Sequence, residues 1–332
     1  MPASRGLASR LVQAALLEGG PVVVAEVVRS GFVEGQHYGS VVALGPDGEV
    51  LLARGAVRTP IFPRSCNKPL QAAAMVRLGL RLSPEMLALA SASHSGEPGH
   101  VDGVRQILSD AGLDEEALRT PAQWPLDDGA RAQVVRDGGG ESPVLMNCSG
   151  KHAAMLATCA VRGWDTATYT DPDHPLQRAI AATYAELTGE PTGEVAVDGC
   201  GAPLFAASLT GVARAFARVA LADEQTPEGE VAAAIRAHPT MVSGTHRDEA
   251  ALLAALPGAI GKAGAEGCYA LALPDGTAVA LKVADGAQRA RPVLMAGALQ
   301  ALGLQHPVLE EQAHAPVLGG GQRVGEIRPV LS

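Results

Sequence analysis

The chain is nearly without lysine. Of its 332 residues 26 are basic, and among these only Lys68, Lys151, Lys262 and Lys282 are lysines, the rest being arginines. Arginine stays protonated inside proteins, whereas a desolvated lysine can lose its proton, so each lysine of an arginine-biased chain is a candidate for work that needs a neutral amine. The competing account is a coding bias that left a few lysines at random. Basic charge is short overall as well: the formal net charge is −9, and no basic face is present to meet nucleic-acid phosphates. That excludes nucleic acid as a partner and leaves a small anionic or zwitterionic ligand open. No apolar run approaches the length of a membrane span, and residues 1–20 carry no clean cleavage site because Gln13 and Glu18 interrupt their short apolar patch. This segment reads as a loose or helical extension of a cytoplasmic protein. Cysteines are few and odd in number, five in all. They give no disulfide framework and fit a reducing compartment.

What is present is an ordinary globular composition, 47% hydrophobic and 18% charged, which can bury a core. After the extension, residues 21–332 read as one domain. Residues 21–31 (PVVVAEVVRSG) form a strand, and 40–44 with 49–53 form a hairpin across Gly45-Pro46-Asp47-Gly48. Near the other end, 269–273 and 278–283 flank Pro274-Asp275-Gly276-Thr277 as a second hairpin. Between them lie alanine- and leucine-rich helical runs over 83–92, 100–111, 152–161, 174–187, 204–222 and 228–238, with a last helix over 287–302. Strands at both ends and helices between them predict an α+β fold. Its antiparallel sheet is built from N- and C-terminal segments, and a helical region over roughly 65–255 is inserted in it.

Chemistry is expected first in the stretch Arg64-Ser65-Cys66-Asn67-Lys68-Pro69, just ahead of an apolar helical run over 70–80. It sets a serine three residues before a lysine. Such positions share a helix face, so hydroxyl and amine can meet as nucleophile and base. Pro69 is tolerable in a first turn but removes an early hydrogen bond if Ser65 is the N-cap, so a tight or irregular opening turn is expected. Alone, Ser-x-x-Lys is a pattern that chance produces often. Residues 92–97 (ASHSGE) end a helix in a polar loop that can aim hydroxyls into a cleft, with Ser93 pointing inward beside His94, Ser95 and Glu97. A solvated loop carrying an N-cap serine is the plainer account.

Two further stretches, Asn147-Cys148-Ser149-Gly150-Lys151-His152 and Asp198-Gly199-Cys200, bring thiols and nitrogen donors. Cys148 and Cys200 could bind zinc with His152, or with Lys151 if its amine is neutral; generic ligand statistics favour His152. A Lys151-stabilised thiolate, a Cys148–Cys200 disulfide and two buried free thiols are the alternatives, while Cys159 and Cys268 read as core. Gly261-Lys262-Ala263-Gly264 leads into the second hairpin and places an amine at a sheet edge. Ser-x-x-Lys followed far downstream by Lys-x-Gly is the pattern of serine β-lactamase-like enzymes.

Taken together, FPRSCNKPLQ (62–71), ASHSGE (92–97), NCSGKHA (147–153), VDGCGAP (197–203) and GKAGAEG (261–267) resemble the rhizobial-type, class 3 L-asparaginases from about residue 23 to the C-terminus. The resemblance implies a serine β-lactamase/glutaminase-like fold, a homodimer, and hydrolysis of L-asparagine to L-aspartate and ammonia. By position it implies two serine–lysine tandems, Ser65 with Lys68 and Ser93 with Lys262. It also implies one zinc per chain held by Cys148, Lys151 and Cys200, the lysine displacing His152 as the expected ligand, and not essential for the chemical step. Asp198 would support the metal site. In the 244–248 stretch some relatives carry a cysteine near the metal, and here Asp248 stands. Free asparagine needs its ammonium and carboxylate held, and Asp198, Glu97 and Arg64 are the candidates. Other hydrolases of the same scaffold, a glutaminase or a penicillin-recognising enzyme, are rival readings. So is a zinc- or thiol-sensing binding protein.

Overall fold

The computed structural model describes residues 19–331, so the expected N-terminal extension lies, but for its last two residues, outside the described part. The strands are β1 (Val22–Arg29), β2 (Phe32–Leu44), β3 (Val50–Arg54), β4 (Pro60–Ile61), β5 (Val195–Val197), β6 (Pro203–Phe205), β7 (Ala207–Ser208), β8 (Ile260–Ala263), β9 (Cys268–Ala272), β10 (Ala278–Val283), β11 (Ala315–Gly319) and β12 (Gln322–Pro329). Eight of them make one sheet in the order β11-β12-β1-β2-β10-β9-β8, with β3 also on β2. All pairings are antiparallel. The N-terminal strands thus sit in the middle of C-terminal ones, joined by β1–β12 and β2–β10. Helices fill the interval between, as the distribution of periodicities predicts.

Composition explains the sheet centre. β9 and all but one position of β10 are buried, and these strands are built from alanine, valine and leucine with Tyr269 as their one large ring. Strands buried at successive positions have both faces covered, and the helices Leu209–Leu221 and Ala290–Ala301 lie against them. The hairpin turn 45–48 is set by Gly48, at φ 82, a value that glycine adopts without steric cost.

Several elements differ from expectation. The run over 204–222 is not one helix: residues 203–205 and 207–208 are strands, and the helix begins at Leu209 because Ser208 accepts a hydrogen bond from the Gly211 N–H at 2.9 Å. Lys262 lies within β8, the edge strand beside β9, and not in a loop leading to it. Helices Asp128–Arg136, Asp248–Ala255 and Pro307–Ala313, and strands β11 and β12, were not foreseen. Among the described residues no helix is long and apolar enough to cross a membrane.

Candidate active site

Ser65 and Lys68 enter the interior through a 3₁₀ turn, Arg64–Asn67, that hands over directly to the helix Lys68–Arg77 with Pro69 in its first turn. This is the irregular opening the proline predicts. In a 3₁₀ turn residues i and i+3 eclipse, so Ser65 and Lys68 stand over one another. Arg64 adopts φ 54, a left-handed conformation that costs a residue with a Cβ about 1–2 kcal/mol. Its side chain fixes the conformation from outside: Nε donates to Asp198 Oδ1 at 2.7 Å, and Nη1 lies 3.7 Å from Glu266 Oε1. Asp198 in turn is held by the Gly199 N–H at 2.9 Å. Beside Arg64 opens a cavity of about 370 Å³ whose walls include Phe62, Val197, Glu266 and Lys282. The Lys282 amine itself donates to the Glu266 carbonyl.

Lys68 is fully buried, and its amine reaches three groups: Ala92 O at 2.5 Å, Ser93 Oγ at 2.9 Å and Cys148 Sγ at 3.0 Å. Among the described residues no hydrogen bond joins it to the Ser65 hydroxyl. Ser65 and Ser93 are both buried, with 7% and 6% exposure. Ser93 is positioned from its backbone, whose N–H donates to Val242 O. The pairing of Ser93 with Lys262 expected from the tandem pattern is not made here. The Lys262 amine points instead at Glu249, 2.8 and 3.0 Å from its two carboxylate oxygens, because β8 packs against the helix Asp248–Ala255 that carries it. Both side chains are fully buried, and removing one partner of such a pair costs about 3–5 kcal/mol. Burial pushes the Lys262 pKa down, Glu249 opposes that, and the nearby charge of Lys68 adds to it; the net direction is downward.

The loop after Ser93 is held by its own polar residues. His94 Nδ1 accepts from the Gly96 N–H, so Nε2 carries the proton and donates to Ser149 Oγ at 2.8 Å. Ser95 donates to the Ser243 carbonyl, and both Glu97 oxygens accept from Thr245, one from its N–H and one from its hydroxyl. The Glu97 carboxylate is therefore committed to the 243–245 loop.

Cys148, Lys151 and Cys200 come together as the sequence suggests, all buried, with Lys151 Nζ donating to Cys200 Sγ at 3.1 Å. The Cys148 thiol donates to Asn147 Oδ1 at 3.1 Å. The neighbouring Cys200 and burial push the Cys148 pKa well up, while Cys148, helped by the Lys151 charge, holds Cys200 well below its ordinary value. Burial works to lower the pKa of Lys151, but the two cysteines and Asp198 overcome it and the amine is raised. His152 Nδ1 meets the Tyr169 hydroxyl at 2.7 Å, and its buried Nε2 has no hydrogen-bond partner among the described residues. All five cysteines are free thiols, so no Cys148–Cys200 disulfide is present. Among the described residues no group of three His, Cys, Asp or Glu side chains is arranged as a metal site. Two sulfurs with the Lys151 amine are a different set, and their shared protons are what a soft divalent ion displaces; the donors fit zinc. Asp248 does not join them: its carboxylate pairs with Arg291 at 2.6 and 2.7 Å, and that guanidinium lies over the Tyr269 ring.

The family model for L-asparaginase II matches residues 25–329. The chain belongs to that family. Membership implies an amidohydrolase, and it places the serines, lysines and cysteines described above inside the matched span of this L-asparaginase II family member. No curated protein matches it in sequence. Among solved structures, a β-lactamase from Mycobacterium bovis overlaps 89% of this chain and 100% of its own at 15% identity and TM-score 0.38. EstCE1, a hydrolase with promiscuous acyltransferase activity, overlaps 89% and 98% at 15% identity and TM-score 0.37. Likeness this loose transfers no function.

Glu249 and the contact of Cys148 with Lys68 had no signal in any motif. Glu249 sits in an acidic pair, Asp248-Glu249, ahead of an alanine- and leucine-rich run, and the helix that this run forms is what turns one carboxylate inward.

Proposed function

We propose that this L-asparaginase II family member hydrolyses L-asparagine to L-aspartate and ammonia through a covalent acyl-enzyme built on Ser65. The observation that carries the reading is a fully buried lysine amine, Lys68, 2.9 Å from the Ser93 hydroxyl and eclipsed with a second on its own turn. The Ser65 oxygen attacks the side-chain amide carbon, its proton passing to the Lys68 amine directly or through Ser93, and ammonia leaves with a proton returned from Lys68. Water then adds to the ester, and aspartate departs as the Ser65 hydroxyl reforms. Arg64 and Asp198, paired with each other at 2.7 Å in the structure, are proposed to part and hold the carboxylate and ammonium of the substrate. The 2.9 Å contact favours a second assignment, Ser93 as nucleophile, with the same base.

Zinc, one per chain, would be held by Cys148, Lys151 and Cys200 and would polarise or shape the pocket. The serine and lysines already supply nucleophile and base, so the chemical step does not need it. Following the family resemblance, the working unit is proposed as a homodimer. The test is ammonia release by the purified chain from L-asparagine and L-glutamine, with a chromogenic β-lactam alongside. Asparagine is expected to dominate. Turnover of the β-lactam alone would move the chain to the penicillin-recognising reading, and no turnover of any of the three would favour a sensor.

A further inference from the structure

Two of the three buried lysines, Lys68 and Lys262, stand in different surroundings. Lys262 Nζ is ringed by Glu249 Oε1 at 2.8 Å, Glu249 Oε2 at 3.0 Å and Ala263 O at 2.9 Å. All three are oxygens that only accept when the carboxyl is ionised, and an ammonium has three protons to give, so every one is used and no lone pair is left. Lys68 Nζ meets one carbonyl, Ala92 O, but its other two neighbours are the Ser93 hydroxyl and the Cys148 thiol. The thiol gives its one proton to Asn147 Oδ1, so Ser93 is the neighbour of Lys68 that can donate as well as accept. At Lys262 all three neighbours accept, and a neutral amine there would have no donor for its lone pair.

We propose that Glu249 is a positioning residue that fixes Lys262 as a permanent ammonium during turnover, so that Lys262 takes no part in proton transfer. This rests on the asparaginase reading above and assigns the two lysines different work. Lys262 is then a fixed positive charge paired with Glu249, and not the base of a second tandem. The groups that face Lys262 pull in opposite directions. Burial, the charge of Lys68 from the helix Lys68–Arg77 and that of Arg247 before the helix Asp248–Ala255 push its pKa down on balance, and Glu249 is the group that opposes them; the assignment stands on the three acceptors around Nζ. From the 64–67 turn the Cys66 thiol touches only the Lys262 backbone carbonyl, at 3.1 Å.

The four-lysine composition makes the test direct, because lysine-selective ¹³C,¹⁵N labelling gives four side-chain signals, assigned by single Lys→Arg replacements. In the wild-type protein the Lys262 signal is expected to stay that of an ammonium across the whole pH range of activity. In Glu249→Gln its titration should move down by about one pH unit or more, and the alkaline limb of kcat should move with it. At the pH optimum kcat should fall about tenfold or more with KM changed little, as for loss of a charge felt in the transition state. Glu249→Asp, which keeps the charge, should restore part of both. A Lys262 signal that titrates within the active range of the wild type overturns the proposal. So does an alkaline limb unmoved in a folded Glu249→Gln. The NMR arm reads Lys262 whatever the substrate, so wild-type protein inert toward asparagine would remove the asparaginase reading and leave the state of Lys262 still measured.

Discussion

Lys151 is the residue at which generic chemistry and the family resemblance pull apart. Histidine is the commoner zinc ligand, and His152 keeps a buried Nε2 without a hydrogen-bond partner while Nδ1 meets the Tyr169 hydroxyl; the Lys151 amine, the ligand the family resemblance implies, lies on the Cys200 sulfur. Protein purified without chelator is expected to hold close to one zinc per chain by elemental analysis, with Cys148, Lys151 and Cys200 as three donors and a fourth position open. That zinc should be lost in Cys148→Ser, Cys200→Ser and Lys151→Met and largely kept in His152→Gln. Zinc that survives Lys151→Met and leaves with His152→Gln would reverse the ligand assignment. At this scale the sequence was legible where residues recur in short motifs: Ser65, Lys68, Ser93, Cys148, Lys151 and Cys200 all lie in or against one buried region. Partner choice was not legible. Which hydroxyl meets which amine depends on the pleat of β8 and on the rotation of the helix after Arg247, and neither leaves a mark in residue spacing.

Elements announced by their own turns were the readable ones. Gly45-Pro46-Asp47-Gly48 and Pro274-Asp275-Gly276-Thr277 carry the chemistry of a reversal, and both hairpins are present. β8 is read less easily because GKAG looks like a loop until β9 supplies its partner, and β11 with β12 because three glycines, 319–321, interrupt the only alternating run. The stretch 203–208 follows the same rule: it is strand because β5 and β4 are there to pair with it. Ser208 then does two jobs, capping the helix Leu209–Leu221 through the Gly211 N–H and donating to Glu190. Ser208→Ala removes the cap and leaves a Glu190 oxygen short of a donor, so a loss of about 1–2 kcal/mol is expected from urea unfolding. A change below a few tenths would show that the helix start is held by β7 alone.

For the molecule as a whole, acid stability follows from its buried histidines. His37, His94 and His100 are each nearly or fully buried, and burial holds the pKa of each below its ordinary 6.5. The unfolded chain takes up these protons below about pH 6.5 while the folded one does not, so the unfolded state binds more protons and stability falls as pH drops. Above that pH the contribution is complete. Each histidine adds a slope of up to about 1.4 kcal/mol per pH unit, and Tm should decline from pH 7 to pH 5. A flat Tm over that interval would mean that the rings are protonated in the folded protein. The same sheet that buries His37, woven from both ends of the chain, holds β8 and the 64–67 turn side by side. The central claim is that the Ser65 hydroxyl carries the acyl group, and peptide mapping by mass spectrometry after acid quench with L-asparagine tests it most directly. A β-aspartyl adduct is expected on the peptide containing Ser65, absent in Ser65→Ala; an adduct on the Ser93 peptide, or none during steady ammonia release, would contradict the account.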